Sequence, residues 1–432
     1  MQELKKIINK IENKKIKISI IGLGYVGLNL MINFARNNFL VNGYDIDKKK
    51  ILTLKKNISP IHHIKNQYIK SISSKTNFYN DYKNISDNDF IIICLPTPLN
   101  LNNKPDLSHI KNFFKIIRKD LKKYQTIILE STSYPGTTEE IFYNYLNKNF
   151  NLGKDFFLGY SPERENPGDK KNKFYFVPKI VSGQTNNCLK LTNFLYSKIV
   201  KKTIIAKNIK SAEASKITEN IYRSINIALV NELKMIFHEM KIDVREVLDL
   251  ADTKPFGFKK FLPGPGIGGH CIPIDPLYLS FKAKKFNKET KFIDLAAKIN
   301  IETTNWIYKK MFKKLKKLKI NAKKILIVGV SYKKNIDDIR ESAAIKIAKK
   351  LINNGILTKY YDPYVKSLKI YNNNKKINVV KLNTLNSNET FDCSVILTDH
   401  DKVDYKKILK KSQYVFDTRN VFKLKNKRIF NL

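Results

Sequence analysis

Residues Lys17 to Gly27, with the sequence KISIIGLGYVG, decide the fold of the first part of this chain. The apolar run KISII has the length of a buried strand, and the glycines after it precede a helical stretch, Leu28 to Asn37. In such a unit Gly22 permits the tight turn, Gly24 lets the backbone approach a pyrophosphate, and Gly27 allows close helix packing. The stretch therefore predicts a dinucleotide site at a helix N-terminus.

The next predicted strand, Leu40 to Asp45, ends in a carboxylate that can bind both hydroxyls of an adenosine ribose. Its charge would repel a 2′-phosphate, so we expect NAD rather than NADP, with Asp47 as a rival for the ribose contact. Further apolar runs at Phe90 to Leu95 and Thr126 to Glu130 alternate with helical segments such as Leu107 to Lys122. This alternation is typical of βα units on a parallel sheet.

The rest of the chain predicts a helical middle and a second α/β domain. Residues Lys210 to Met240 form an amphipathic stretch without Gly or Pro, which indicates one long helix. After Lys323 the run KILIVGVSY repeats KISIIGLGY, but it lacks the second and third glycines and should not bind a dinucleotide in the same way. We predict an α/β fold of two Rossmann-like doubly wound domains, at residues 1–205 and 311–432, joined by a helical middle at residues 206–310 that contains the long central helix.

The amino-acid composition limits the kinds of protein that this chain could be. The chain has 432 residues, of which 42% are hydrophobic, so it can form two or three globular domains. Its 81 Lys and Arg against 38 Asp and Glu give a net charge of +43. The lysines are scattered through every segment, which favours a solvated surface over a nucleic-acid site, although a polyanion-binding protein remains the second hypothesis. The first residues lack a signal peptide and no apolar run could span a membrane, so we expect a cytoplasmic protein without a membrane or nucleic-acid partner.

The four cysteines are far apart and suggest neither a disulfide framework nor a metal site. Cys271 stands out because it lies in GPGIGGHCIPIDP (264–276), where glycines let the backbone approach a ligand and an acid follows the thiol. It is a candidate nucleophile, with a buried structural cysteine as the alternative. The neighbouring His270 could act as a base or make a structural hydrogen bond.

Other polar groups have two interpretations each. Lys216, Asn220 and Arg223 share a face of the long helix and could bind an oxyanion, or form a solvated stripe. In SPERENPG, Glu163 or Glu165 could be a general base, or both could be surface charges.

Two further loops carry polar residues. In ESTSYPGTT, the sequence predicts a capping box between Thr137 and Glu140, and hydroxyls that line a cleft at strand ends. The segment from Lys333 to Ser342 could present cations to phosphate groups or be an ordinary loop.

Taken together, these motifs resemble the UDP-glucose/GDP-mannose 6-dehydrogenase family over nearly the whole chain. The marks occur in order: GLGYVG, LPTPL, ESTSYPGT, YSPERENPG, AEASKITENIYRSINIALVNEL, PGPGIGGHCIPIDP and DDIRESAA. SPERENPG, TKPFGF and GGHCIPIDP look most like the branch of UDP-N-acetylglucosamine 6-dehydrogenases, since the UDP-glucose branch more usually has Lys where this chain has Ile274.

The resemblance implies a four-electron oxidation of a sugar C6 alcohol to a carboxylate with two NAD molecules in succession, in the synthesis of a surface polysaccharide precursor. UDP-N-acetylmannosamine, UDP-glucose and GDP-mannose are the alternative substrates. It also implies a homodimer or higher homo-oligomer formed through the long helix. No metal is implied.

The resemblance also implies roles for individual residues. Cys271 would trap the aldehyde as a thiohemiacetal and then carry a thioester. The implied catalytic residues are Cys271, Lys216, Asn220, Asp275, Glu163 and Thr132. The implied cofactor contacts are Gly22, Gly24, Tyr25, Val26, Gly27, Asp45, Thr97, Thr132 and Arg340. The implied substrate contacts are Glu163, Arg164, Lys216, Asn220, Phe261, Gly268, Lys333 and Arg419.

Overall fold

The structure is a computed structural model that describes residues 2–61, 64–100, 102–146, 150–164, 174–269, 272–372, 375–423 and 426–432. The chain divides into two compact units. The first contains Met1–Glu219 with Leu277–Lys288, and the second contains Asn220–Pro276 with Glu289–Leu432.

The first unit is built on an eight-stranded sheet in the order β3-β2-β1-β4-β5-β6-β7-β8. All its strand pairs are parallel except β6 with β7. The strands are β1 (Lys17–Ile21), β2 (Leu40–Tyr44), β3 (Thr76–Tyr79), β4 (Phe90–Ile93), β5 (Thr126–Leu129), β6 (Phe157–Tyr160), β7 (Lys179–Gly183) and β8 (Thr203–Ile205). The helices of this part are α1 (Gln2–Glu12), α2 (Tyr25–Arg36), α3 (Lys48–Lys55), α4 (Asn66–Lys70), α5 (Ser108–Ile117), α6 (Thr137–Tyr145) and α7 (Asn186–Tyr196).

Four helices form the middle of the chain: α8 (Ile209–Glu239), α9 (Val244–Ala251), α10 (Asp275–Lys284) and α11 (Lys291–Lys317). The second unit contains a seven-stranded sheet in the order β11-β12-β10-β9-β13-β14-β15, in which only β11 with β12 is antiparallel. Its strands are β9 (Lys324–Val328), β10 (Leu357–Tyr361), β11 (Leu368–Asn372), β12 (Lys375–Lys381), β13 (Phe391–Ile396), β14 (Ser412–Asp417) and β15 (Ile429–Asn431), and its remaining helices are α12 (Ala343–Asn353) and α13 (Tyr405–Lys411).

These elements confirm the predicted fold class of two Rossmann-like sheets with one long helix in the middle. The central strands β1, β4 and β9 are almost entirely buried, as parallel strands covered by helices on both faces must be, and this explains their unbroken apolar sequences. The long helix begins and ends within one residue of its predicted bounds. Helix α2 begins at Tyr25, three residues earlier than predicted, because Gly27 is already helical.

The N-terminus of α6 is capped from another helix. The cap residue Gly136 has no side chain, and the carboxylate of Glu213 on α8 accepts hydrogen bonds from the amides of Gly136 at 2.5 Å and Thr138 at 2.9 Å. Burial raises the pKa of Glu213 to about 7. The predicted capping box is therefore wrong, since Thr137 donates its hydroxyl to a backbone carbonyl and Glu140 binds Lys282.

Within the described part of the chain, every helix is too short or too polar to cross a bilayer.

Candidate active site

The glycine-rich turn lies at the carboxyl edge of the first sheet, where the strand order reverses. Strand β1 is bordered by β2 on one side and by β4 on the other, so the connections from β1 and β4 leave in opposite directions. In open parallel sheets, the crevice at such a reversal is the usual ligand site.

The three glycines of the turn have three different environments. Gly22 has φ +92, and a Cβ there would lie 2.8 Å from the carbonyl oxygen of Cys94. A Cβ on Gly27 would lie 1.9 Å from the carbonyl oxygen of Gly22, whereas a Cβ on Gly24 would have no neighbour within 4 Å. Gly22 and Gly27 are thus required by the fold, and Gly24 presents an exposed backbone face at the start of α2, next to the half-buried Tyr25 and Val26. The exposed backbone at Gly24, at the N-terminus of α2, fits a dinucleotide pyrophosphate.

The two carboxylates that competed for the ribose contact have separate tasks. Asp45 follows β2 and accepts hydrogen bonds from the amide of Leu23 at 2.9 Å and from Lys50 Nζ at 2.5 Å. Asp47 caps α3 by accepting from the amides of Lys49 and Lys50. Because Asp45 accepts a hydrogen bond from the glycine turn itself, it is the better placed of the two carboxylates to contact a bound ribose.

The loops after β4 and β5 are joined at the same edge of the sheet. The hydroxyl of Thr97 donates to the carbonyl oxygen of Thr132 at 2.8 Å, and Ser131 donates to that of Leu95 at 2.7 Å. Tyr278 on α10 donates its hydroxyl to the carbonyl oxygen of Thr97 at 2.6 Å. The predicted cofactor residues Thr97 and Thr132 are thus brought together.

Glu163 and Arg164 follow β6 in the same unit. Arg164 makes an ion pair with Glu219 of α8 at 2.7 Å, and Glu163 lies 3.6 Å from the buried ammonium of Lys179. Glu165 lies outside the described residues.

Of the three polar residues predicted to share a face of the long helix, Lys216 and Asn220 are buried and Arg223 is exposed. Lys216 is 9% exposed and Asn220 is 3% exposed. In the second unit, Asn220 donates its amide to the carboxylate of Asp275 at 2.6 Å, and Asp275 is 2% exposed. Two of the predicted catalytic residues are therefore in direct contact.

Cys271 and His270 lie outside the described residues. The other three thiols are poor nucleophiles. Burial raises the pKa of Cys94 well above its ordinary value and that of Cys393 to about 12. Cys188 is buried, and its sulfur accepts hydrogen bonds from Leu158 and Thr185.

The loop before Cys271 packs against polar and cationic groups of the second unit. Gly264 donates its amide to Asn231 of α8 at 2.9 Å, and a Cβ on Gly264 would lie 3.0 Å from a guanidinium nitrogen of Arg419. Arg245 at the start of α9 donates to the backbone carbonyl of Arg419 at 3.0 Å. Phe261 packs edge to face on Tyr222 of the long helix, with ring centroids 5.8 Å apart.

The remaining predicted contacts lie on the segment after β9 or pack against it. Tyr332 packs so closely on Gly268 that a Cβ there would lie 2.6 Å from the Tyr332 side chain. The amide of Gly269 donates to the carbonyl oxygen of Arg340 at 2.8 Å, and the guanidinium of Arg340 binds Asp338 at 2.7 Å. Lys333 is half-buried on the same segment. Gly268 therefore has a packing role that the sequence did not indicate.

Sequence reasoning missed several buried charged residues. Lys234, on α8, is 5% exposed, and its ammonium has no hydrogen-bond partner among the described residues. Burial first, and then the positive charges of Arg419 and Arg245, lower the pKa of Lys234 to about 7. Lys179 and Glu213 were also missed. The apolar neighbours of Lys234 in ALVNELKMIF were the available signal.

No group of three or more potential metal ligands occurs among the residues that the structure describes.

Comparison with protein families gives three matches along the chain. They are the NAD binding domain of the UDP-glucose/GDP-mannose dehydrogenase family at residues 16–200, its central domain at residues 210–302, and its UDP binding domain at residues 326–424. These matches confirm the resemblance seen in the motifs.

Individual relatives carry two substrate names. A UDP-N-acetyl-D-glucosamine 6-dehydrogenase of Pseudomonas aeruginosa is 35% identical over 82% of this chain and 84% of its own. A UDP-N-acetyl-D-mannosamine dehydrogenase of Methanocaldococcus jannaschii is 32% identical over 96% of this chain and 95% of its own. The solved structure of a UDP-D-ManNAc dehydrogenase from Pyrococcus horikoshii has a TM-score of 0.84 and 30% identity, covering 96% of this chain and 98% of that one.

Proposed function

Because this chain belongs to the UDP-glucose/GDP-mannose dehydrogenase family, whose members are NAD-dependent nucleotide-sugar dehydrogenases, we propose that it oxidises the C6 hydroxyl of a UDP-N-acetylhexosamine to a carboxylate. The observation that carries this proposal is the buried hydrogen bond between Asn220 and Asp275. It fixes a carboxylate four residues after Cys271 against a helix that also holds Lys216. A thiol, an ammonium, an amide and an acid are the groups that this oxidation requires.

NAD supplies a hydride acceptor when it is bound. Gly24 would let the pyrophosphate approach the backbone, and Asp45 would accept hydrogen bonds from the ribose hydroxyls. Thr97 and Thr132 would lie beside the reactive end of the cofactor, and Arg340 is a further family-matched contact.

The chain's own residues would handle the substrate charge and protons. Lys216 would stabilise the alkoxide that develops as the C6 hydroxyl loses its proton, and later the tetrahedral oxyanion, together with Asn220. Cys271 would add to the aldehyde to give a thiohemiacetal, and loss of a second hydride from that carbon leaves a thioester. Water then cleaves the C–S bond, which releases the carboxylate and the thiol. Asp275 and Glu163 are the candidate proton acceptors, and Thr132 would position the water.

We propose that UDP would bind the second unit, where Lys333 and Arg419 would meet the phosphates, and Phe261 with Gly268 would line the loop around the sugar nucleotide. Glu163 and Arg164 are the family-matched contacts to the sugar. We also propose the division into domains at residues 1–205, 206–310 and 311–432, and assembly as a homodimer or larger homo-oligomer.

UDP-N-acetylglucosamine is the substrate we favour, because the loop motifs resemble that branch. UDP-N-acetylmannosamine is the second candidate, supported by relatives that match a larger share of the chain. The two sugars differ only in the configuration at C2, so a single pocket contact can select between them.

The test is a substrate panel with product stoichiometry. Purified protein is given NAD and, separately, UDP-N-acetylglucosamine, UDP-N-acetylmannosamine, UDP-glucose and GDP-mannose, and kcat/KM is compared. We expect two NADH per sugar acid from the favoured substrate, and no acid from a Cys271→Ala variant. One NADH per sugar with free aldehyde as the final product, or an unchanged turnover of Cys271→Ala, would refute the thioester route.

A further inference from the structure

Three cations of the second unit come together beside Gly264. Asn231 and Lys234 lie three residues apart on one face of α8, and Asn231 accepts a hydrogen bond from the amide of Gly264 at 2.9 Å. A Cβ on Gly264 would lie 3.0 Å from Nη1 of Arg419. Arg245, at the start of α9, donates from Nη2 to the backbone carbonyl of Arg419 at 3.0 Å. Lys234, Arg245 and Arg419 form a group that we call the cation cluster.

Lys234 is the buried member of the cation cluster. It is 5% exposed, and its ammonium has no hydrogen-bond partner among the described residues. The ring of Trp306 lies 5.9 Å from Nζ, close to the outer limit of a cation–π contact. Burial of an ammonium without a hydrogen bond is costly, so such a group in a folded protein indicates that an ion or ligand binds there.

The two arginines of the cation cluster have unused donors. A guanidinium carries five N–H donors. In Arg419, Nε donates to the carbonyl oxygen of Leu397 at 2.8 Å and lies 3.9 Å from the carboxylate of Asp399. Across the part of the chain that the structure describes, Nη1 and Nη2 of Arg419 make no hydrogen bond, and the guanidinium of Arg245 makes only the bond to the Arg419 carbonyl. Most of these donors are therefore available to an oxyanion.

The positive charge of the cation cluster is only partly balanced. Asp417 is the carboxylate that acts on Lys234. Its two oxygens accept hydrogen bonds from the backbone amides of Arg419 at 2.9 Å and Phe422 at 3.1 Å. Burial first, and then the positive charges of Arg419 and Arg245, lower the pKa of Lys234 to about 7. A bound anion would act on that pKa in the opposite direction, so the cluster favours a negatively charged ligand.

Phosphate is the anion that this arrangement fits best. The planar guanidinium groups of Arg419 and Arg245 suit two-point hydrogen bonding to phosphate oxygens, and the ammonium of Lys234 supplies a point charge. Arg419 lies within residues 326–424, which match the UDP binding domain of the family. Lys234 and Arg245 lie within residues 210–302, which match its central domain. The nucleotide sugar of the proposed reaction carries a diphosphate, which can bind groups from both matches.

We propose that Lys234 and Arg245 complete, together with Arg419, a binding site for the diphosphate of the nucleotide sugar. This inference rests on the proposed function, which supplies that ligand. Lys234 and the two arginines donate charge-assisted hydrogen bonds to phosphate oxygens, and Arg245 also holds the backbone of Arg419 in place. The buried charge of Lys234 destabilises the free protein, and the bound diphosphate offsets that cost.

The test measures binding without turnover. The full chain is titrated calorimetrically with UDP, with uridine, which lacks phosphate, and with inorganic diphosphate, and the melting temperature of each variant is recorded. Lys234→Met removes the charge and keeps the apolar length of the side chain. The matched control is Lys298→Met on α11, whose side chain is 72% exposed. Both variants lose one lysine, so their comparison removes the effect of net charge.

For Lys234→Met we expect the affinity for UDP to fall by about tenfold or more, which is the usual effect of losing a hydrogen bond between charged groups, while the affinity for uridine changes little. Its melting temperature should rise, so weaker binding cannot result from unfolding. Lys298→Met should leave both affinities unchanged. Arg245→Gln should also weaken UDP binding by about tenfold, and Arg245→Lys should weaken it less, because the charge is kept. The wild type should bind UDP more tightly than inorganic diphosphate.

An unchanged affinity of Lys234→Met for UDP would overturn the proposal, and Arg245→Gln gives the same comparison if Lys234→Met does not fold. Equal losses of UDP and uridine binding would overturn it as well, because a purely structural role predicts that result. Inorganic diphosphate bound as tightly as UDP would overturn the assignment to a nucleotide sugar. A wild-type chain that binds UDP as expected but produces no NADH with any sugar of the panel would refute the proposed function and still support the phosphate site.

Discussion

Lys234 provides a quantitative prediction about stability and pH. Its ammonium is buried without a hydrogen-bond partner among the described residues, close to the cations Arg245 and Arg419 and the carboxylate of Asp417. The pKa of Lys234 falls from 10.5 to about 7 in the folded protein. The unfolded chain therefore binds more protons than the folded chain between pH 7 and pH 10.5. In this window stability rises with pH, and the cost of Lys234 is fully present below pH 7.

The size of the effect follows from the shift. At about 1.4 kcal/mol per pH unit, a shift of this size corresponds to roughly 5 kcal/mol at pH 6 and roughly 2 kcal/mol at pH 9. Lys234→Met keeps the apolar length of the side chain and removes the charge. We expect this variant to be more stable than the wild type, with a gain that shrinks by about 3 kcal/mol between pH 6 and pH 9.

The chain contains a suitable probe for this measurement. Trp306 is the only tryptophan, it belongs to the second unit, and its ring lies 5.9 Å from Lys234 Nζ. Urea unfolding followed by tryptophan fluorescence at pH 6, 7, 8 and 9 therefore reports on the unit that contains Lys234. The control is Lys298→Met on α11, whose side chain is 72% exposed, and it should change the unfolding free energy by less than about 0.5 kcal/mol at every pH. A gain from Lys234→Met that does not depend on pH, or a loss of stability at pH 6, would refute the reasoning.

Further predictions concern the glycine turn and the two carboxylates beside the proposed NAD site. Gly27→Ala should reduce soluble, folded protein, because its Cβ would lie 1.9 Å from a carbonyl oxygen, whereas Gly24→Ala should keep the wild-type melting temperature and weaken NAD binding in a calorimetric titration. Equal melting temperatures for these two variants would contradict the assignment. Asp45→Ser should raise the ratio of kcat/KM for NADP to that for NAD by about tenfold or more, because a negative charge is lost and Lys50 is released. Asp47→Ser, which removes only the cap of α3, should lower stability and leave that ratio unchanged.

The parts of the fold that sequence reasoning predicted are those in which local pattern and tertiary environment agree. The strands β1, β4 and β9 are central in parallel sheets, so burial on both faces requires continuous apolar runs. The long helix has no Gly or Pro to end it early. The glycine turn was predictable for the same reason, since close approach of backbone at Gly22 and Gly27 admits no other residue.

The residues that were missed are those whose role depends on contacts between distant parts of the chain. Glu213 caps a helix that begins 76 residues earlier with Thr137, and the nearby Glu140 gave a misleading local signal. Lys179 pairs with Glu130 across 49 positions in sequence. Neither pairing leaves a pattern in the local sequence, because each partner is compatible with a solvated surface until the sheet brings the strands together.

The two Rossmann-like units differ in the carboxylate that follows the second strand of each sheet. Asp45 follows β2, and Asp362 occupies the equivalent place after β10; each accepts a hydrogen bond from the turn after the first strand of its unit. Asp45 remains partly exposed and has three such contacts. Asp362 is 0% exposed and accepts from four backbone amides and from His400, which uses the acceptor capacity of a carboxylate. A ribose could therefore bind Asp45 but not Asp362. The second unit would need to recognise a nucleotide through other groups, and we propose Arg419 as one of those that meet the phosphates of a sugar nucleotide.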